Sequence, residues 1–242
     1  MNQRVVLAIL SALTLAATGA PGPAYRFDEV KSKVWRAPGG DEKQEVRVAA
    51  GDAAAAGDGV RTGFWARTVV SVPEKGARFE ISSSTRALLE PGEPGVLLSL
   101  RKGRLVAIFE ALTGAAPEER LVAAPGALLA VRGTRYGVET TSDGESVVAV
   151  FEGTVEVRSS LPGVAPVAVH AREFCTFGAR KPPRPAPMGP AGMSEKRWGV
   201  GEAGGGQRPG MDGGRPGDQP GGQQPGAPGP RSGGQPMGPK GH

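Results

Sequence analysis

Two residues of this 242-residue chain have the types that nucleophilic catalysis by cysteine requires. Cys175 is the single cysteine, and His170 is the one histidine besides His242 at the C-terminus. A thiolate beside an imidazole is the usual minimum for such chemistry. Residues 167–177 alternate like one strand, and positions 170 and 175 are an odd number apart, so their side chains should point to opposite faces. We therefore predict strand packing for both residues, and no enzyme activity.

Metal and phosphate sites are also disfavoured. One cysteine and one internal histidine cannot supply a zinc site without two distant carboxylates. The glycine-rich runs between residues 199 and 222 lack the strand, loop and helix context of a phosphate-binding loop, and also its Gly-Lys-Ser/Thr ending. We predict no metal and no cofactor.

An aromatic and basic group follows the first clear Thr-Gly turn. Phe64, Trp65 and Arg67 lie within four positions of each other. If exposed, they would form a patch for a protein or glycan partner. Trp65 follows no clean alternation with the strand after it, and we expect at least one of the two aromatic side chains to lie in the core.

Composition divides the chain into an ordered part and a tail. Residues 178–242 contain 20 of the 39 Gly and 13 of the 23 Pro, with no Leu, Ile or Phe. They carry nine Lys or Arg against four Asp or Glu, which accounts for the whole net charge of +5. Such a segment cannot bury enough apolar surface to offset the entropy of ordering, so we predict a disordered tail. It has no aromatic stacking platform, and we predict no nucleic-acid binding.

The N-terminus has the features of a secretory signal peptide, which we assign to residues 1–24. One Arg precedes 13 almost wholly apolar residues, 5–17, and small residues follow them. Such a stretch is too short to span a bilayer as a helix. We expect export to the periplasm, the cell envelope or the medium. Cleavage should fall between Gly19 and Tyr25 and leave no membrane span.

The remaining residues predict one all-β domain. Residues 25–44 form a lead-in segment whose structure stays open. Residues 45–177 show short apolar alternations separated by Gly-containing turns, which is typical of a β-sandwich or a solenoid-like β fold.

One hairpin can be assigned a register. A two-residue turn at 143–144 would place Tyr136 opposite Phe151 and Arg135 opposite Glu152. One face of this hairpin would then be apolar, and the other would pair opposite charges.

A second hairpin is predicted around residues 102–103, with strands at 96–101 and 104–109. Residues 100–107 and 150–157 share the pattern apolar-x-x-Gly-x-apolar-x-apolar at an offset of 50. A duplicated β unit and chance similarity explain this pattern about equally well.

Three segments in order resemble the FecR domain, an extracytoplasmic β-rich module of bacterial envelopes. The first is Gly-Asp-Gly-Val-Arg-Thr-Gly at 57–63, and the second runs from Val-Ala-Ala-Pro at 122–125 to Val-Arg-Gly-Thr-Arg-Tyr-Gly-Val at 131–138. The third is Val-Val-Ala-Val-Phe-Glu-Gly-Thr-Val-Glu-Val at 147–157. Ala124 replaces the Thr usual before Pro in that family, and Tyr136 replaces Phe.

We expect the residues of these motifs to be structural, because they bring no nucleophile or metal-ligand set with them. Glycines there suit bulges or close approaches, and short polar side chains can bond turn amides. The residues concerned are Gly57, Asp58, Thr62, Gly63, Arg132, Gly133, Thr134, Tyr136 and Gly153.

The resemblance implies an exported, non-catalytic binding or scaffolding module. Its partner would be an envelope protein or a cell-wall or surface polymer. The alternative is a regulatory sensor subunit that signals through a separate membrane partner. FecR-type sigma regulators have a cytoplasmic segment and a membrane span before this module, whereas a signal peptide is predicted here.

Overall fold

The structure is a computed structural model that describes residues 24–90, 92–111 and 119–189, together with Trp198. The expected signal peptide up to residue 23 and most of the expected tail lie outside these residues. Secondary structure in the three ranges consists of strands and three short 3₁₀ turns, at Pro38–Gly40, Glu42–Gln44 and Pro73–Lys75, and Trp198 has helical backbone. The predicted all-β class is confirmed.

The described part of the chain contains seventeen strands. They are β1 (Tyr25–Lys31), β2 (Val34–Ala37), β3 (Val46–Arg47), β4 (Ala53–Ala54), β5 (Gly59–Thr62), β6 (Arg67–Val72), β7 (Ala77–Ile81), β8 (Arg86–Leu89), β9 (Val96–Phe109), β10 (Arg120–Ala124), β11 (Ala127–Val131), β12 (Arg135–Thr140), β13 (Glu145–Glu152), β14 (Thr154–Ser159), β15 (Val167–His170), β16 (Glu173–Gly178) and β17 (Lys181–Pro187).

The strands form two layers that share one long strand. The front sheet has the order β4-β1-β6-β7-β9-β12-β13-β16-β17. The back sheet has the order β3-β2-β5-β8-β9-β10-β11-β14-β15. β9 and β10 pair in parallel, whereas every other pairing among the described strands is antiparallel.

The core consists of the inward side chains of both sheets, which belong to one continuous apolar cluster. β7 shows how the sequence produces it: Ala77, Phe79 and Ile81 are buried, and the intervening Arg78 and Glu80 face outward. Period-two alternation buries one face of a strand and leaves the other available to solvent. The largest fully buried side chains are Tyr25, Tyr136, Phe27, Phe79, Phe177, Ile81, Leu89, Leu98, Leu100, Leu105, Leu129 and Val34.

The chain follows a repeated path between the layers. β5 lies in the back sheet, β6 and β7 in the front sheet, and β8 in the back sheet again. β11, β12, β13 and β14 repeat this back, front, front, back order. The architecture is therefore that of a two-layer β fold built from alternating hairpins.

The predicted register of the hairpin at residues 143–144 is wrong by one residue over most of its length. Tyr136 pairs with Val150 instead of Phe151, although Arg135 does pair with Glu152 across a bulge. The loop has three residues rather than two, and Gly144 closes it at φ 80. A type I turn followed by a left-handed glycine gives this loop length, and Asp-Gly fits it as well as a two-residue turn.

The predicted hairpin around residues 102–103 is also wrong, because β9 runs through it as one 14-residue strand. Its first half pairs with β8 in the back sheet, and its second half pairs with β7 and β12 in the front sheet. Gly103 has φ 99, and a Cβ atom there would lie 2.6 Å from Thr85 Cα. The glycine marks a crossing between sheets rather than a turn.

The sequence similarity at an offset of 50 does not coincide with the repeat in the chain path. β9 passes from the back sheet to the front sheet at Gly103, whereas β13 and β14 pass from front to back at Gly153. Both glycines have positive φ and lie against backbone or side-chain atoms of a neighbouring segment. The shared sequence pattern thus marks a glycine at which the chain crosses between the two sheets, from back to front at Gly103 and from front to back at Gly153.

The ordered fold extends beyond both expected boundaries. The lead-in segment contributes β1 and β2, and Tyr25 and Phe27 are core residues. β17 lies within the segment expected to be disordered and forms the edge of the front sheet beside β16. Proline is tolerated at a sheet edge, where an amide facing away from the sheet needs no partner. Within the described residues there is no helix of the length and hydrophobicity that a membrane span requires.

Candidate interaction surface

Asp58 of the first motif ties three segments together. Its Oδ1 accepts from the amide of Gly39 at 2.9 Å, and its Oδ2 accepts from the amide of Ala55 at 2.9 Å. Arg36 Nη1 lies 3.5 Å from the same Oδ2, and the Asp58 side chain is almost fully buried. Gly57 precedes it with φ 84 and open space around its Cβ position. These contacts support a structural role for Asp58 and Gly57.

Thr62 holds two loops at one end of the molecule. Its hydroxyl donates to the carbonyl of Ser82 at 2.6 Å and accepts from the amide of Thr85 at 2.9 Å. Next to it, Gly63 donates its amide to the carbonyl of Lys33 at 2.9 Å. A Cβ atom on Gly63 would lie 3.2 Å from the ring of Trp35. The β1–β2, β5–β6 and β7–β8 connections are thereby joined.

Phe64 and Trp65 project from this joint. We call residues 63–66, between β5 and β6, the tip loop. The two side chains are 75% and 79% exposed, and their rings meet edge to face with centroids 4.9 Å apart. Trp65 has φ 62, a left-handed conformation that is strained for a bulky side chain. The expectation that at least one of these aromatics lies in the core is therefore wrong.

Cations lie on the segments that adjoin the tip loop or the residues that hold it. Lys31 is the register partner of Arg67 on β6, Lys33 bonds to the tip loop through its carbonyl, and Lys102 is the register partner of Arg86. We call Lys31, Lys33, Arg67 and Lys102 the basic rim. Lys31, Lys33 and Lys102 have exposed side chains with no ion-pair partner among the residues that the structure describes. Sequence reasoning found Arg67 and missed the three lysines.

The second and third motifs meet at a different place, where the chain crosses between sheets. A Cβ atom on Gly153 would lie 2.6 Å from Thr134 Cγ2 and 2.7 Å from the carbonyl oxygen of Gly133. Gly133, with φ 61, lies between β11 of the back sheet and β12 of the front sheet. This crossing explains why the buried positions change parity there. Arg132 is exposed beside it.

Tyr136 and Thr134 each bury a hydroxyl that has no hydrogen-bond partner among the residues that the structure describes. Tyr136 is fully buried, and its ring stacks on Phe109 with centroids 6.2 Å apart and 3° between their planes. Burial raises the pKa of Tyr136 well above its usual value. The hydroxyl therefore stays protonated, and the residue acts as a core aromatic.

A cleft of about 640 Å³ lies on the outer side of the back sheet, beneath residues 37–45. Arg61 donates from Nε to Glu45 Oε1 at 2.7 Å and stacks its guanidinium 3.7 Å from the Trp35 ring centroid. This hydrogen bond lowers the pKa of Glu45 and raises that of Arg61. Arg86 pairs with Glu42 at the same cleft. Because two of its acids are neutralised by its own arginines, the cleft offers little for general acid–base chemistry.

A second opening of about 420 Å³ lies on β11 and β14. Arg158 pairs there with Glu119 and Glu156. Arg120 is buried, donates to the carbonyls of Lys75 and Glu110, and has its pKa lowered by that burial. Arg120, on β10, therefore links the turn before β7 to the residue that follows β9.

His170 and Cys175 do not form a catalytic pair. The expected single strand is broken into β15 in the back sheet and β16 in the front sheet, with Arg172 at φ 72 between them. Cys175 is fully buried, and burial raises the pKa of its thiol to about 11. His170 is exposed and contacts Thr154 Oγ1 through Nδ1 at 3.2 Å. No group of three potential metal ligands occurs within the described residues.

The comparison with protein-family models agrees with the motifs. The family model described as FecR protein matches residues 58–156. Among solved structures, two crystal structures at 2.50 and 1.65 Å resolution of a protein assigned as an anti-sigma factor from Parabacteroides distasonis match with 13% identity and a TM-score of 0.43. The match covers 54% of this chain and 59% of that chain, which is less than two thirds of its length. No curated protein matches the sequence.

Proposed function

From the match of residues 58–156 to the FecR family model, we propose that the chain is a non-catalytic binding module of a regulatory complex outside the cytoplasm. It recognises a protein partner with the tip loop and the basic rim. The observation that carries this proposal is the exposure of Phe64 and Trp65 at 75% and 79%.

Two unfavourable features coincide at the tip loop. Large apolar side chains are exposed to water there, and one of them is held in left-handed backbone. Strain of this kind persists where the surrounding structure over-determines it, and it concentrates at binding sites. Thr62 and Gly63 supply that determination through their bonds to Ser82, Thr85 and Lys33. The loop is therefore preorganised to present two aromatic rings, the residue types that dominate binding energy at protein interfaces.

The basic rim indicates the chemistry of the partner. Lysines at the rim of an interface steer association with an acidic surface and fix orientation, while the aromatics supply most of the affinity. We therefore expect a partner with an apolar pocket bordered by Asp and Glu. Attraction at the rim should weaken as ionic strength rises.

Export is part of the proposal, and the fold supports the expected cleavage range. Tyr25 is 1% exposed, and its hydroxyl donates to the carbonyl of Leu97 at 2.6 Å. Cleavage after Tyr25 would remove a core residue, whereas cleavage between Gly19 and Tyr25 would keep it. The test is the N-terminal mass of the protein recovered from the envelope fraction. A chain that retains Met1 and stays in the cytoplasm would overturn this part.

Partner recognition is tested by crosslinked capture from the cell envelope with tagged full-length protein. Three variants are compared: Phe64→Ser, Trp65→Ser and Val46→Ser. Val46 is the matched control, because it is an exposed apolar residue on β3 with 45% exposure. We expect both tip variants to lose one discrete protein partner that wild type and Val46→Ser retain. Equal capture by all four proteins would exclude the tip loop as the recognition site.

A scaffolding role on an anionic wall or surface polymer is the second candidate, because the unpaired lysines of the basic rim favour it. It predicts that the capture experiment recovers polymer instead of a discrete protein. Replacing Lys31 and Lys33 should then abolish capture, whereas replacing Phe64 or Trp65 should not. A regulatory role further predicts a changed transcript profile when the gene is deleted. An unchanged profile, together with polymer capture, would favour the scaffold.

A further inference from the structure

Trp198 occupies a groove on the outer face of the front sheet. It is 2% exposed, although it follows the last strand by eleven positions. Its cluster is separate from the main core. The residues that line the groove are Val106, Ile108, Ala149, Phe151, Phe174 and Met188.

The floor of the groove is a glycine in the middle of a strand. Gly137 on β12 pairs with Val106 on one side and with Ala149 on the other. A Cβ atom on Gly137 would lie 2.6 Å from Trp198 Cδ2 and 2.8 Å from Cζ3, so only glycine leaves room for the ring. The backbone of Gly137 has no positive φ that would demand glycine for another reason. Glycine weakens a strand interior, and here its position is explained by the indole.

The walls of the groove match an aromatic ring. Phe151 meets the indole edge to face at a centroid distance of 6.0 Å, and the guanidinium of Arg104 lies 5.9 Å from its centroid. Both geometries are favourable for tryptophan. On the main-chain side, Ser82 Oγ donates to the carbonyl of Trp198 at 3.4 Å. The groove therefore contacts both the ring and the backbone of Trp198.

We propose that this groove is a binding site for a tryptophan side chain, which the chain fills with its own Trp198. The site takes the indole of a short peptide segment, and Trp198 is its intramolecular ligand. Occupancy ties the Gly- and Pro-rich tail to the front sheet. It also covers an apolar strip formed by Val106, Ala149 and Phe174, which would otherwise face water. The argument for this site does not rest on the proposed function, although Ser82 contacts both places: its hydroxyl donates to the carbonyl of Trp198, and its carbonyl accepts from Thr62 beside the tip loop.

The first test uses full-length protein labelled with 5-fluorotryptophan. The chain has three tryptophans, Trp35, Trp65 and Trp198, so fluorine NMR gives three resonances that can be assigned by single Trp→Phe variants. Gly137→Ala places a methyl group in the floor of the groove. Gly189→Ala is the matched control, because its Cβ would meet open space.

We expect Gly137→Ala to move the Trp198 resonance to the position of an exposed indole, with Trp35 unchanged. We also expect Gly189→Ala to leave all three resonances in place. A Trp198 resonance that is already at the exposed position in wild type, or that ignores Gly137→Ala, overturns the proposal. If Gly137→Ala also shifts Trp35, its fold is disturbed, and the peptide experiment decides.

The second test adds the site's ligand from outside. Full-length Trp198→Ala is titrated with a peptide of residues 192–203 carrying 5-fluorotryptophan. We expect a saturable shift to the resonance position of native Trp198, and none with Trp198→Ala/Phe151→Ala. Absence of a saturable shift overturns the proposal. A Trp198 resonance in wild type that depends on protein concentration overturns the intramolecular assignment, since it would show that a second copy supplies the ring.

Discussion

Gly103 and Thr85 approach each other so closely that a Cβ atom on Gly103 would lie 2.6 Å from Thr85 Cα and 2.8 Å from Thr85 Cβ. The contact lies where β9 leaves the back sheet and enters the front sheet. Thr85 is held in place at the same point, since its hydroxyl accepts from the amide of Arg104 at 3.0 Å. The two layers can therefore meet in this way only because position 103 is glycine and carries no side chain.

Gly103→Ala should therefore be strongly destabilising. Positive φ and steric overlap together should lower the free energy of unfolding by about 2–5 kcal/mol. The measurement is urea denaturation of both proteins. Gly144→Ala is the matched control, because Gly144 has φ 80 but open space around its Cβ, so it should lose only about 1–2 kcal/mol. Equal losses would show that the Thr85 contact contributes nothing.

Tyr136→Phe should stabilise the protein. The Tyr136 hydroxyl is fully buried and has no hydrogen-bond partner within the described part of the chain, so its removal eliminates an uncompensated desolvation cost. We expect a gain of about 1–2 kcal/mol in the free energy of unfolding. Thermal and urea denaturation measure it.

Tyr25→Phe is the control for that gain. The Tyr25 hydroxyl is also buried, but it donates to the carbonyl of Leu97 at 2.6 Å. Its removal loses that hydrogen bond, while the carbonyl keeps the amide of Glu90 as a donor at 2.9 Å, so the free energy of unfolding should fall by about 0.5–1.5 kcal/mol. Opposite signs for the two variants are the expected result. A loss in Tyr136→Phe would mean that its hydroxyl has a partner.

Trp65→Asn should separate stability from binding. Asn tolerates left-handed backbone better than Trp, so the free energy of unfolding should rise by about 0.5–1 kcal/mol. Capture of the partner should fall at the same time. Arg172→Asn is the matched control, since Arg172 has φ 72 on an exposed turn between β15 and β16. Arg172→Asn should gain similar stability and keep full capture of the partner. Loss of capture by Arg172→Asn would show that the effect of Trp65→Asn is not specific to the tip loop.

The pair Glu45 and Arg61 should make stability depend on acid pH. The hydrogen bond from Arg61 holds the pKa of Glu45 below its value in the unfolded chain. A carboxylate of this kind stabilises the fold above its unfolded pKa, and that stabilisation is lost as pH falls through its folded pKa. Urea denaturation between pH 7 and pH 3 should show a steeper decline for wild type than for Glu45→Gln. Glu42→Gln serves as the control, because its pair with Arg86 is more exposed and therefore weaker.

Cys175 should be unreactive in the folded protein. Its thiol is buried on the inner face of β16, and burial raises its pKa to about 11, so little thiolate exists at neutral pH. A thiol-reactive probe at pH 7.5 should label Cys175 only after denaturant is added. Rapid labelling of native protein that His170→Ala abolishes would restore the cysteine-hydrolase hypothesis.

Local patterns in the sequence were enough to predict most strands and to recognise the family motifs. They were not enough to predict which strands pair. The alternation of β7 is visible in five residues. By contrast, Gly103 looks like a turn residue, because a glycine at positive φ serves a turn and a crossing equally well. Its neighbour Thr85 lies 18 positions away, and only the folded chain brings the two together.

The candidate surface was partly predictable for the same reason. Phe64, Trp65 and Arg67 are close in sequence, so their grouping was evident, whereas the exposure of both rings depends on the folded conformation of the tip loop. Lys31 and Lys33 come from the end of β1 and the β1–β2 connection, and Lys102 comes from the sheet crossing in β9. Only the topology brings them to the tip loop. Trp198 gave no local signal, because its ligand groove is built from four separate elements.

The prolines of β17 limit how this domain can associate. Met188 donates its amide inward to the carbonyl of Arg172 at 2.8 Å, and strand amides alternate in direction, so the amides of positions 183, 185 and 187 point away from the sheet. All three positions are proline. This border of the front sheet consequently offers carbonyl oxygens but no N–H group to an incoming strand along those positions. A crowded population of these molecules is thereby protected against ribbon-like growth at that margin.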